Sequence, residues 1–452
     1  MDSTERLAAH ALATPFSSIP SEALADCRKF LLDSMGVIIV GSSAPWAREL
    51  SEMQNLWGSG DEARNWAFGT RMSAPSAAMV NAYQLHNSEF DCVHEEAVVH
   101  PMAVTLPALM AVAEREGGVS GRDFLLALVL GVDVACHIGV AANGKMRFFR
   151  PATAGAFGAV AAIGRLRGFS TEMMRDAMGI VYSQLCGTMQ AHFEGSSVLA
   201  MQIGFNSRNA VIACDMAATG IKAPRDMLEG PFGYYTLFEG GGDLDAALQD
   251  LGKVWRITEV AHKPFPSGRA THGVVDSLLE MQREVGFSAE DVASIEARVP
   301  PLTYQLVGRL PHADMTPNQA RLCASYAGAR AMMSKGLGVA DFDLDVLKDP
   351  TTLDLARRIV VKVDGNPDPN DLTPVTVETR LQDGRSFERT TSVIYGNPAK
   401  PMTESAHLAK FRNNWQSGAT NLPRENGERL ITAVTEIEQR DEMRSVVDLL
   451  VP

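Results

Sequence analysis

Between His86 and His100 the chain packs three histidines (His86, His94, His100) and four carboxylates (Glu89, Asp91, Glu95, Glu96) into fifteen positions. Imidazole beside carboxylate is the usual means of moving protons near neutral pH, because a histidine changes charge there. The same groups ligate zinc or iron, although neither H-x-x-x-H nor H-E-x-x-H spacing occurs. A solvated acidic loop with incidental histidines fits the composition as well. A second segment, His262-Lys263-Pro264-Phe265-Pro266-Ser267-Gly268-Arg269-Ala270-Thr271-His272, concentrates two cations and two histidines in a proline-stiffened turn. Lysine and arginine so placed can clamp carboxylates, unless the segment is only an interdomain linker. A third, Lys145 to Gly155, sets Arg147 and Arg150 at the start of a Gly/Ala-rich helix, whose N-terminus favours anions. It lacks G-x-G-x-x-G and Walker spacings, so it does not indicate a nucleotide. No G-x-S-x-G elbow is present and no cysteine has a protease context. By residue type alone, the leading chemistry is proton transfer without a cofactor.

The elements that must position these groups change in texture along the chain. Ser120-Gly121-Arg122-Asp123 is a capping box that opens a helix apolar nearly all round, running to about Ala142. Residues 152–166, rich in Ala and Gly, and 199–220 predict further core helices. After Pro264 and Pro266 a helix over 273–284 leads into strands at 295–299, 359–363 and 375–381, with another helix at about 318–336. Asp383-Gly384 signals a hairpin. From Leu408 to Leu450 helical periodicity returns. The fold class is therefore mainly α with an inserted α+β domain. Residues 1–265 and 399–452 are expected to form a discontinuous helical domain, and residues 266–398 a smaller α+β lid.

A chain of 452 residues suggests two or three domains at roughly 150 residues each. The formal net charge of −13 argues against a nucleic-acid-binding surface, so an anionic substrate would need a local basic cluster. The six cysteines are far apart without metal-type spacing and read as reduced, buried thiols. The N-terminus lacks the pattern of a signal peptide, and no run approaches the roughly 18 uninterrupted apolar residues of a membrane span. A cytoplasmic protein is expected.

Taken in order, the three segments resemble the MmgE/PrpD family, which includes 2-methylcitrate dehydratase, cis-aconitate decarboxylase and an iminodisuccinate epimerase. Leu31-Leu32-Asp33-Ser34-Met35-Gly36 is similar to the family's early LLDxxG, and Asn81 through Asp91 to His100-Pro101 to its N…H…DFDD…HP stretch. Ser120 to Asp123, Ala154 to Gly158, Lys263 to His272, Gln319-Ala320-Arg321…Ser325-Tyr326 and Lys410-Phe411-Arg412 follow in the family's order. The resemblance covers nearly the whole chain. It implies a helical domain made from both chain ends with an inserted lid, a homodimer, and no metal or organic cofactor. It also implies a lyase acting on a small di- or tricarboxylate by proton abstraction beside a carboxylate. An epimerase, a decarboxylase of a related acid and a non-catalytic binding relative are the alternatives.

On this resemblance His100 is expected to transfer the proton, with Asp91 as its partner or a second base. Lys263 and His272 would bind or polarise the substrate, and Arg150 and Arg269 would anchor its negative charge. Glu89, His94, Gln202 and Tyr326 are further expected substrate contacts. Two motifs and two single positions depart from the family pattern. DFDD is Glu89-Phe90-Asp91-Cys92 here, and HPTGT has become Arg150-Pro151-Ala152-Thr153. Leu199 stands at the usual lysine, and Gly268 where the decarboxylase branch has a histidine. These departures point to a substrate other than 2-methylcitrate or cis-aconitate, or to lost catalysis.

Overall fold

Ser120 Oγ accepts the amide of Asp123 at 3.1 Å and so starts the helix Gly121–Val140 as the capping box predicts. The structure is a computed structural model that describes residues 2–368 and 370–452. By length and composition this helix could cross a membrane, contrary to the expectation that no segment of the chain could. It is instead the central core helix, with 89% of its most apolar stretch buried by its neighbours. Against it lies the helix Arg150–Leu166, and the two approach through facing glycines. A Cβ on Gly158 would stand 2.4 Å from the carbonyl oxygen of Gly131, and one on Gly131 would stand 2.7 Å from that of Gly158. Only residues without side chains allow backbones this close, which is why the segment is built of Gly and Ala.

Helices Ser21–Gly41, Ala74–His86, Pro101–Glu116 and Val198–Ala218 complete the helical body around this pair. The C-terminal helix Glu404–Gln416 returns to it, burying Phe411 and Trp415 in the same core. The second region carries a four-stranded sheet in the order Ile359–Val363, Val292–Val299, Val375–Leu381, Ser386–Thr391. The first pair is parallel and the others antiparallel. Val375, Val377, Thr379 and Leu381 alternate inward, and Val274 and Leu278 of helix His272–Val285 pack on that face. Gly384 turns the predicted hairpin with φ +89°.

One predicted element is divided. The helix expected over 318–336 is Pro317–Arg321 followed by Ala324–Ser334. Between them Cys323 is extended and bridges to Gly308, its thiol donating to the Arg309 carbonyl at 3.2 Å. Sequence periodicity runs through this break because both pieces bury the same face, with Ala320, Ala324 and Ala327 all enclosed.

Candidate active site

His86 ends the helix Ala74–His86, and His100 caps the helix Pro101–Glu116, whose first residue is a proline. The chain between these two ends folds back so that Asp91 meets both imidazoles. Its Oδ2 lies 3.0 Å from His86 Nδ1 and 2.9 Å from His100 Nδ1. The two rings meet edge to face with centroids 4.8 Å apart. With Asp91 ionised, both Nδ1 atoms donate to it; His100 Nε2 is left to take or release a proton, while His86 Nε2 is enclosed 3.7 Å from Glu89 Oε1.

Asp91 is wholly buried, which by itself would raise its pKa. The charges of His100, His86 and Lys263 outweigh burial and hold it well below the ordinary carboxylate range. The two histidines are driven apart. Burial pulls His86 down, but Asp91 and Glu89 win and its pKa stands above 6.5. At His100 burial prevails over the opposing Asp91, with Lys263 adding to it, and the pKa falls below 6.5. Two titratable groups so separated are suited to act as acid and base at one pH.

The basic turn joins this centre directly. Val93–His94 pairs antiparallel with Val260–Ala261, Val93 opposite Ala261, which fastens the acidic loop to the strand leading into Lys263. Lys263 is fully buried and donates to both the Oε2 of Glu89 at 3.0 Å and its backbone carbonyl at 3.1 Å; its Nζ also lies 3.9 Å from Asp91 Oδ1. Glu89 has φ +52°, a left-handed conformation that few non-glycine residues adopt, and the double contact from Lys263 holds it there. Burial opposes ionisation of Glu89, yet Lys263, His86 and His100 bring its pKa to about 2.

Behind this centre lies a second buried cluster. Lys410 Nζ is 2.8 Å from Asp33 Oδ1 and donates to the Phe90 carbonyl at 2.9 Å, while His262 Nε2 is 3.0 Å from the same Asp33 oxygen. It therefore fixes both the residue between Glu89 and Asp91 and the residue before Lys263. Asp33, His262 and His407, like His86, Asp91 and His100, are near enough together to share a cation. In both clusters a lysine ammonium already lies within 4 Å of the carboxylate.

The other expected contacts are engaged elsewhere. Arg150 is not a free anion anchor: it is fully buried and its Nε donates to Glu239 at 2.9 Å, Tyr234 holding the other carboxylate oxygen at 2.7 Å. Arg269 is committed to Glu95 at 2.6 Å and to the carbonyls of His262, Ile394 and Tyr395. His272 bonds the Ser267 carbonyl at 3.2 Å and accepts from Arg269 at 3.3 Å. Burial and the Arg269 charge keep it neutral, well below 6.5. His94 is clipped between the Ala97 amide at 3.1 Å and Glu259 at 2.9 Å. Gln202 accepts the Thr188 amide at 2.8 Å, and its buried side-chain nitrogen has no partner among the described residues. Tyr326 lies in the core of the lid and donates to the Asp341 carbonyl at 2.9 Å. All six have satisfied structural bonds, and of them only Gln202 keeps an unused polar group.

Three residues without a role in the sequence reading do enter the field of Glu89: His192, Arg309 and Arg321. His192 is nearly enclosed, and burial, against the pull of Glu89, lowers its pKa to about 4. It lines a cavity of about 390 Å³ with Arg147, Met189, Phe193 and Gln305. A larger hollow of about 990 Å³, lined by Leu279, Phe287, Met332 and Leu355, lies within the lid and contains none of these groups. Arg321 belongs to a run similar to the family, and that was its one sequence signal. Leu199 is buried in the helical core, so no cation stands at that position. A side chain on Gly268 would meet Leu322 at 2.8 Å.

The chain matches the MmgE/PrpD N-terminal domain over residues 5–247 and the MmgE/PrpD C-terminal domain over residues 265–438. Cis-aconitate decarboxylase of Aspergillus terreus is 26% identical over 419 residues, covering 87% of this chain and 85% of that protein. The Mus musculus cis-aconitate decarboxylase is 25% identical over 440 residues, 94% of this chain and 88% of that protein. For the Homo sapiens cis-aconitate decarboxylase the identity is 23% over 438 residues, with 94% and 89% covered. With both domains matched in order across most of its length, the chain belongs to the MmgE/PrpD family.

Proposed function

We propose that this lyase-type enzyme acts on a small di- or tricarboxylate by moving a proton beside a carboxylate, without a metal or organic cofactor. The observation that carries the reading is the sharing of Asp91 by two imidazoles whose pKa values are pushed to opposite sides of 6.5. His100 Nε2 is the base: it is the less enclosed of the pair, and Asp91 fixes its tautomer through Nδ1. In a dehydration it takes the proton from carbon, the electron pair forms the double bond, and the neighbouring hydroxyl leaves as water with a proton from the imidazolium side of the pair. In a decarboxylation, loss of CO2 leaves the electron pair on carbon, which takes its proton from the same source. Lys263 keeps Glu89 and Asp91 ionised and so sustains the split.

The departures at Leu199 and Gly268 support a substrate other than that of the decarboxylase relatives. Epimerisation needs bases on opposite faces of one carbon, and two rings hung from one carboxylate oxygen do not flank a substrate. A homodimer is part of the same proposal and rests on the resemblance alone, whereas a cytoplasmic location is proposed from the six scattered cysteines read as reduced thiols.

The test is a panel of small carboxylates, cis-aconitate included, incubated with the protein in heavy water and followed by proton NMR. One member is expected to lose water or CO2, and His100→Gln to slow that loss by about 10²–10⁴-fold. Unchanged turnover by that variant removes the assignment of the base. Deuterium entering recovered substrate without elimination transfers the chain to the epimerase reading, and inertness toward the whole panel to the binding one.

A further inference from the structure

We infer that Arg321 is the anchor for a substrate carboxylate on the lid side of the site. The inference rests on the carboxylate reading above and names a group that reading leaves unused. Four arginines in the described structure are at least nine-tenths buried: Arg150, Arg256, Arg269 and Arg321. The first three each hold a carboxylate, Glu239 at 2.9 Å, Glu259 at 2.9 Å and Glu95 at 2.6 Å. Arg321 is the exception. Among the described residues its guanidinium makes no hydrogen bond and no ion pair, and its Nε is enclosed without a partner. The contact it does make is with the ring of Phe342, 5.3 Å from Cζ. A guanidinium does not shed its proton to escape burial, so an unpaired one is a charge awaiting an anion.

Its placement is built rather than incidental. Arg321 closes the helix Pro317–Arg321, fixed by the reciprocal cap of Thr316 and Gln319. Its carbonyl accepts the amide of Gly268 at 3.0 Å, inside the basic turn that carries Lys263. The same lid segment is stitched to the loop of His192: Arg309 donates to the His192 carbonyl at 2.9 Å, Gln319 to that of Glu194 at 3.0 Å and Thr316 to that of Gly195 at 3.2 Å. The carboxylates whose charges reach Arg321 are Glu89, already holding Lys263 at 3.0 Å, and Asp343, exposed on the lid, and neither comes within 4 Å of it; the third acidic group that acts on it is the phenol of Tyr83. The anion that suits the position is a planar carboxylate, which a guanidinium holds by two parallel bonds. A substrate with a second carboxylate would then place one on Arg321 and the reacting carbon at His100.

The test compares Arg321→Met and Arg321→Lys with the unaltered protein. On the substrate that the panel identifies, Arg321→Met is expected to raise KM about 100-fold with a smaller change in kcat, and Arg321→Lys to recover part of that loss. Without ligand, Arg321→Met is expected to melt at the same temperature or higher, because it removes an unpaired buried charge. A structural arginine would give a lower melting temperature and an unchanged KM, and that result overturns the inference. Should Arg321→Met fail to fold, the KM of Arg321→Lys decides: a value equal to that of the unaltered protein overturns it. If no member of the panel reacts, the proton-abstraction reading fails, and calorimetric titration with maleate still decides the role of Arg321. Binding lost in Arg321→Met supports the anchor; equal binding, or none to either protein, overturns it.

Discussion

Asp91 is hydrogen-bonded to two histidines at once, and their opposed shifts give the reaction a pH signature. His100 must be neutral to accept a proton, so kcat/KM should rise as pH increases through its pKa, below 6.5. His86 must be charged to supply one, so the same quantity should fall as pH passes its pKa, above 6.5. A bell that straddles 6.5 is expected, and a profile whose two limbs both lie on one side of 6.5 contradicts the assignment. In Asp91→Asn the support of both imidazoles is lost, and the alkaline limb should move toward lower pH as turnover drops. His100, Asp91, Glu89 and Lys263 were legible in the sequence because histidine, carboxylate and lysine cluster in two short segments. Arg150 and Arg269 misled because composition reports a charge and not its partner: Glu239 and Glu95 lie 89 and 174 residues away. Arg321 is the reverse case, since what marks it is the partner it lacks.

At the scale of elements, the centre is exact only because helix ends are. His86 and His100 stand at the end of one helix and the start of the next, and the core packing sets where those ends fall. Caps and small residues made the core helices readable: Ser120 starts one, and glycines mark the closest crossing. The two-residue ladder between Val93–His94 and Val260–Ala261 was not readable, because so short a strand has no period and its partner lies far along the chain. The crossing offers a direct test. Gly158→Ala puts a methyl 2.4 Å from the Gly131 carbonyl, where backbone rather than a flexible side chain must yield. A loss of about 1–3 kcal/mol is expected in denaturant melts. Gly336→Ala, with open space around it and no left-handed backbone, should be close to neutral.

For the whole molecule, the buried histidines set how stability responds to acid. His100, His192, His262, His272 and His407 all have pKa values lowered by burial, to about 4 at His192 and His407. In the unfolded chain each takes a proton near 6.5. Between 6.5 and the folded-state values the unfolded chain therefore binds more protons, and stability falls as pH falls. At about 1.4 kcal/mol per unit, His192 and His407 contribute at most about 3.5 kcal/mol each. That is a large share of a net stability of about 5–15 kcal/mol. The depressed carboxylates act later, Glu89 withdrawing its contribution as pH drops from about 4.5 toward 2. His86 and Glu114, with raised values, oppose the trend. Net charge predicts the other sign: relieving a formal −13 on acidification reduces self-repulsion and should stabilise the fold. The slope of melting temperature between pH 7 and 5 separates the two. If the histidines dominate it is positive with pH, and His192→Gln flattens it; a melting temperature that climbs on acidification would show that surface charge outweighs the buried imidazoles.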